Sequence, residues 1–315
     1  MSERLAHVDY VLSEAEQLEL KGSDFVFISS PLFDIWNLVT IALAILLAAA
    51  CVYAARTVGW LRDRIRYFRG RTRSYQEYIP LLLRFSLAIA LINAGSQQAL
   101  VSPAIAGDAM LSTAQIILGF LIMIGFALSP AVLAALGLCV ITLIVNPQLI
   151  NNLEIISTVL ALLLLGQAKP GVDDLLGIPA HNLGEKYRNW VPLILRLGLG
   201  VALIHMAITE KFFNPHLFGT VIEQYQLTSY LPFTTGMWVM SGALIELVLG
   251  LALVMGWQTR MVSVITFFVL SLSFVLFKDE VYAHASIFGT LSVLLITGGG
   301  LWSLDNHYAK LRQQP

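Results

Sequence analysis

The chain is short of charge and nearly devoid of cysteine. Asp, Glu, Lys and Arg make up 12% of 315 residues, against roughly 25% in a soluble domain. Too little polar surface is available to cover a water-facing fold of this size. The two cysteines, Cys51 and Cys139, sit far apart inside apolar runs, and no C-x-x-C occurs. That pattern argues against a thiol relay and a cysteine-based metal site. Net charge is −1, which gives no general case for nucleic acid. There is no Rossmann fingerprint and no P-loop, so a nicotinamide or nucleotide would have to belong to a partner.

Apolar residues dominate instead, at 57% of the chain. They fall in runs near the roughly 20 residues that a helix needs to cross a bilayer. Hydropathy and breakers place spans at 32–55, 79–100, 111–128, 130–147, 153–168, 191–209, 237–256, 261–277 and 283–301. The expected fold is therefore all-α and polytopic, with about nine transmembrane helices. Residues 1–24 are polar and rather acidic, so the first apolar run reads as a true span rather than a cleaved signal. Between 56 and 73 lie Arg56, Arg62, Arg64, Arg66, Arg69, Arg71 and Arg73. Cationic loops stay in the cytoplasm. This loop is therefore expected inside, together with 169–190, Arg260 and the Lys310/Arg312 tail, while Lys211 and Lys278 fall outside. The N-terminus is then external and the C-terminus cytoplasmic, in a membrane of prokaryotic inner-membrane type.

Part of the chain repeats. Tyr78-Ile-Pro-Leu-Leu-Leu-Arg84 matches Trp190-Val-Pro-Leu-Ile-Leu-Arg196 at an offset of 112. Asn93 then falls on His205, Gln98 on Glu210, and Ala99 on Lys211. After an insertion in the second copy, Gln115 falls on Glu246 and Gly125 on Gly256 at an offset of 131; Asn152 falls on His284 and Asp173 on Asp305 at 132. The expected organisation has three parts. Residues 1–77 hold a leading helix and the Arg-rich loop, 78–177 a first four-helix copy, and 190–308 a second, related as a parallel repeat.

An aromatic-x-Pro-Leu-x-Leu-Arg opening, a second helix with Glu246 between Gly242 and Gly250, and an ending Gly-Gly-Leu-Trp-Ser-Leu-Asp305 resemble the DoxX-like membrane family. The likeness is best over 190–305. It implies a four-helix membrane bundle and association with redox systems, one relative being the small subunit of a thiosulfate:quinone oxidoreductase. Thiol-using relatives carry paired cysteines, which this chain lacks.

Ionisable residues at membrane depth mark function or a buried partner. In the second copy these are His205, Glu210, Lys211, Glu246 and His284, all expected in its outer half; the first copy offers neutral counterparts. Several accounts remain open. The cluster can be a satisfied network that fixes packing, in a non-enzymatic scaffold or assembly protein. It can be a proton-coupled quinone site in a redox subunit, with His205 and His284 holding the carrier, Glu210 and Lys211 beside them, and Glu246 passing the proton. It can be a zinc or iron site of His205, His284 and Glu246, or a bis-histidine haem site. His7, His181, His216 and His307 read as solvated. At the inner face, Arg84 is expected to pair with Asp173 or Asp174, and Arg196 with Asp305. The expected partners are the bilayer and a redox or assembly protein.

Overall fold

A computed structural model describes residues 20–166, 170–178, 187–230, 233–277 and 281–311, and these are helical with no strand among them. Readings that involved His7, Lys169, His181, Lys186, Lys278 and Arg312 lie outside the described residues.

A short helix α1 (Phe25–Ser29) is capped by Asp24, whose carboxylate accepts from the Phe27 amide at 2.9 Å. Asp34 likewise caps the leading helix α2 (Ile35–Thr57). The arginine-rich segment is itself helical, as α3 (Gly59–Thr72). The first four-helix unit comprises α4 (Ile79–Ser96), α5 (Ala109–Ile124), α6 (Leu128–Val145) and α7 (Leu153–Leu165), followed by the single turn α8 (Val172–Leu175). The second comprises α9 (Val191–Met206), α11 (Thr235–Met255), α12 (Thr259–Phe277) and α13 (Ala285–Thr297), with α14 (Leu304–Leu311) after it. The inserted segment of the second unit folds as α10 (Pro215–Gln224).

Six described helices are long and apolar enough to cross a membrane: Gly70–Ser96, Leu128–Val145, Pro147–Leu165, Arg188–Phe212, Thr235–Met255 and Thr259–Leu276. A seventh follows if Phe25–Phe33 and Ile35–Leu43, bent by 73°, count as one. Length and composition alone therefore support six or seven of the expected nine. Two of the expected segments, Ala109–Ile124 and Val281–Thr297, are apolar but shorter. At about 1.5 Å per residue, α5 spans only about 24 Å.

Both units contribute to one buried core, which includes Leu83, Leu87 and Leu91 of α4, Val159 of α7, Leu195 and Leu199 of α9, Leu253 of α11, and Leu294 of α13. The first helix of each unit packs closely on the fourth helix of the other: α9 on α7, and α4 on α13. Small residues make this possible. A Cβ on Gly198 would collide with Ser157, and one on Gly289 would collide with Ser86. Ser86 and Gly198 occupy matching positions at the 112 offset, and so do Ser157 and Gly289 at the 132 offset. In the middle of this seam the Thr158 and Thr290 hydroxyls lie 3.2 Å apart.

A second, smaller core forms where α1, α10 and the start of α11 meet, with Ile28, Leu217, Val221, Ile222, Met237 and Met240 buried. It covers one end of the second unit, and among the described residues no matching core lies over the first.

Candidate functional site

The polar cluster of the second unit begins where α9 changes register. After Met206 the backbone widens into a π-helical stretch, Ala207–Phe212. Such single-turn widenings occur often at functional positions. This one carries Glu210 and Lys211, both buried. The Lys211 ammonium donates to Glu246 Oε2 at 2.7 Å. The same nitrogen lies 4.6 Å from the centroid of the Phe218 ring on α10, a cation–π contact. Gly242, one turn before Glu246, leaves space beside the Lys211 stem. The helices α9 and α11 close together at Gly200 and Gly250, so Glu246 faces the bundle rather than lipid, as its flanking glycines imply.

A second network lies alongside on the same π turn. Asn151 Nδ2 donates to Glu210 Oε1 at 3.0 Å, and Asn151 Oδ1 lies 2.6 Å from His205 Nδ1. Since that amide nitrogen is already donating, its oxygen is the acceptor, so His205 carries its proton on Nδ1. Asn151 belongs to the first unit, in the 3₁₀ turn Pro147–Asn152. The cluster is thus built across the seam. A single-copy reading misses that, because Asn151 is a neutral loop residue with no motif around it.

His284 ends the turn Val281–His284 and heads α13. Its ring meets Phe274 edge-on at 5.1 Å. Among the described residues no three His, Cys, Asp or Glu side chains come together as a metal site. The expected grouping of His205, Glu246 and His284 around zinc or iron is therefore not formed. Lys211 already neutralises Glu246, and Asn151 already holds His205. The matching position in the first unit, Gln115, is also engaged. It accepts from the Val101 amide at 2.8 Å and donates to the Leu91 carbonyl at 2.9 Å.

His216 is not a purely solvated residue. Its Nε2 sits 3.1 Å from Asp24 Oδ2, and its ring packs on Phe27 at 4.7 Å. The Phe27 amide and His216 together hold the Asp24 carboxyl below its ordinary value.

Arg196 is anchored differently from the expected ion pair. Arg196 donates to the carbonyls of Gly299 (3.0 Å), Leu253 (3.3 Å), Leu301 (2.9 Å) and Trp302 (2.8 Å), and also to that of Val254. Asp305 accepts from the Gln258 and Thr259 amides at 2.8 and 2.9 Å. The direct Arg196–Asp305 pair is corrected to a link through backbone, although Asp305 is close enough to act on the guanidinium electrostatically. The reason lies in helix ends. The guanidinium gathers carbonyls from the last turn of α11 and from the loop that follows α13, and the carboxylate satisfies free amides opening α12. The first unit reproduces the pattern: Arg84 donates to Pro170 O at 2.8 Å, and Asp173 accepts from Ala127 and Leu128, each at 2.8 Å. Gly125 and Gly256 form the tight turns, with φ of 70° and 64°.

One residue escaped the sequence reading entirely. Glu154, in the first turn of α7, is 2% exposed, and Ser286 Oγ donates to its Oε1 at 3.3 Å.

The apolar helices, their shared core and the charged groups paired inside it define a polytopic α-helical membrane protein. The DoxX family model matches residues 191–279, which marks the second half of the chain as DoxX-like. The match takes in the π turn and the Lys211–Glu246 pair. No curated protein and no solved structure matches the chain.

Proposed function

We propose that this protein is a membrane subunit of a redox system whose second four-helix unit presents a proton-handling site to a lipid-soluble carrier of the quinone class. The observation that supports this most is the Lys211–Glu246 pair, held within the DoxX-like segment beside the His205–Asn151–Glu210 network. Quinone reduction needs donors to two carbonyl oxygens and a path for protons. Histidine and carboxylate are suited to both tasks. In this reading His205 and Lys211 face the carrier, Glu246 and Glu210 exchange protons, and His284 borders the site from α13. The cluster lies toward the outer face, with the N-terminus outside, the C-terminus in the cytoplasm, and electrons delivered by a partner protein.

The two units are, in the same reading, copies of one ancestral bundle related by an axis along the membrane normal. The first copy serves as scaffold: Gln115 replaces Glu246 and binds only backbone.

A second reading is favoured by one observation. Glu246, His205 and Glu210 each already have a protein partner, as in a structural network of an assembly factor. Two measurements separate the readings. The first extracts lipids from protein purified in mild detergent and assays them for quinone. The second follows quinone-dependent redox turnover of membranes that carry Glu246→Gln. Stoichiometric quinone together with a large loss of turnover supports the redox subunit. Quinone-free protein with full turnover in the variant leaves the scaffold.

A further inference from the structure

We propose that Glu154 is a proton-binding site in the seam between the two four-helix units, separate from the Lys211–Glu246 cluster. The carboxyl is enclosed where α7 meets α13, on a segment long and apolar enough to span the bilayer. It lies seven residues from the start of that segment, about 10 Å in. Ser286 supplies one hydrogen bond to Oε1, and Asn152 at the head of the helix lies within hydrogen-bonding reach. Among the described residues Oε2 is buried with no hydrogen-bond partner.

A bare carboxylate left this way would be costly, since an apolar interior cannot replace the hydration that an unpaired ion loses on burial. The charged and titratable groups on surrounding elements are His205 and Arg196 on α9, Arg84 on α4, His284 at the head of α13, Cys139 on α6 and Glu210 on the π turn. Among the described residues no Lys, Arg or His nitrogen forms an ion pair with Glu154. The charge must be cancelled by something else. A divalent metal is unsuited, because among the described residues no second and third ligating side chains gather here. A small monovalent cation would need a fuller oxygen shell than Ser286 and Asn152 supply. The adjacent Ser157 and Thr158 hydroxyls already bond to the Glu154 carbonyl at 2.9 and 2.8 Å. A proton on Oε2 needs no such shell, and it leaves Oε1 as the carbonyl oxygen that accepts from Ser286.

The position opposite is informative. Residue 286 matches residue 154 at the 132 offset, and the two side chains meet face to face. Serine in the second unit means that one acid, not two, occupies this seam. One acid binds one proton without the repulsion that would split a pair. Glu154 also begins one turn beyond Asn151, which holds His205 and Glu210.

Infrared spectroscopy of the purified full chain at neutral pH tests this directly. The wild type should show a carboxylic-acid C=O band that shifts in D2O, is missing from Glu154→Gln, and persists in Glu246→Gln and in quinone-depleted protein. Ser286→Ala should move the band to higher frequency, because the carbonyl loses its donor. Identical wild-type and Glu154→Gln spectra would overturn the proposal. So would a band that disappears when sodium replaces choline at constant ionic strength, which would make the site one for a cation. Absence of quinone leaves the expected band in place, so the two readings fail separately.

Discussion

Thr158 and Thr290, separated by 132 positions, face each other with their hydroxyl oxygens 3.2 Å apart. Both are fully buried. Around them the contacts are reciprocal. Serine of the first unit meets glycine of the second on both sides, Ser157 against Gly198 and Ser86 against Gly289.

The seam should therefore be intolerant of one added methyl. Gly198→Ala forces an atom against Ser157, and overpacking of this kind costs about 1–3 kcal/mol. Thermal unfolding in detergent should show a lower Tm for Gly198→Ala and for Gly289→Ala. Ser157→Gly should recover most of the first loss and none of the second. Equal recovery of both would mean that the contacts are not site-specific.

Arg196 should not be replaceable by lysine. Its fork reaches five carbonyls, whereas an ammonium has three donors from a single point. Each lost bond to a charged donor is worth about 1.5–3 kcal/mol. Arg196→Ala and Arg196→Lys should both lower yield and thermal stability by at least about 2 kcal/mol. A lysine variant as stable as wild type would refute this account of the anchor.

The Lys211–Glu246 pair is enclosed, with Lys211 3% and Glu246 23% exposed at the side chain. Removing one member of such a pair strands the other and costs about 3–5 kcal/mol. Lys211→Met should therefore destabilise strongly, and Lys211→Met combined with Glu246→Gln should destabilise less than Lys211→Met alone. Chemical unfolding of the two variants measures the coupling. Simple additivity would show that the charges do not depend on one another.

The Asp24–His216 contact gives a pH dependence on the side of the molecule where α1 meets α10. The folded-state Asp24 carboxyl is held below its ordinary value of 3.8. A depressed acid stabilises the fold above its unfolded value, and that contribution is lost as pH falls through the folded value. Docking of α1 should therefore be unchanged from neutral pH down to about 4 and weaken only below that. Hydrogen exchange of the Phe27 and Ile28 amides follows it. Asp24→Asn should raise their exchange at neutral pH, where wild type is protected.

Much of this was legible from the residues. The arginine-aspartate-glycine set recurs at matching positions, and the structure places each member at the same turn in both units. Its bonding was not legible. Sequence pairs opposite charges, but Arg196 and Asp305 each find backbone groups at a helix end or in the adjoining loop, which no residue name reveals. Length alone does not reach nine spans, because α5 stops at the left-handed Gly125 and the apolar segment Val281–Thr297 opens with a 3₁₀ turn. Lys211 and Glu246 stood out as charges among apolar neighbours, but they lie on different helices and only the fold shows that they meet. Asn151 is invisible until the two units are brought together. Glu154 is legible as an acid within an apolar run, but the excess of ionisable residues lies in the second copy, and this acid belongs to the first.

The glycine–serine exchange at the seam also bears on which half may pair with which. Each half contributes two contact positions, and a bulky position must meet an empty one. Two first halves brought together would set Ser86 against Ser157 and leave no room. Two second halves would set Gly198 against Gly289 and leave voids that lose contact energy on both sides. Only unlike halves fit, knob into hole. The junction therefore discriminates between self and non-self, and a single chain that carries both halves always has the right mate at hand.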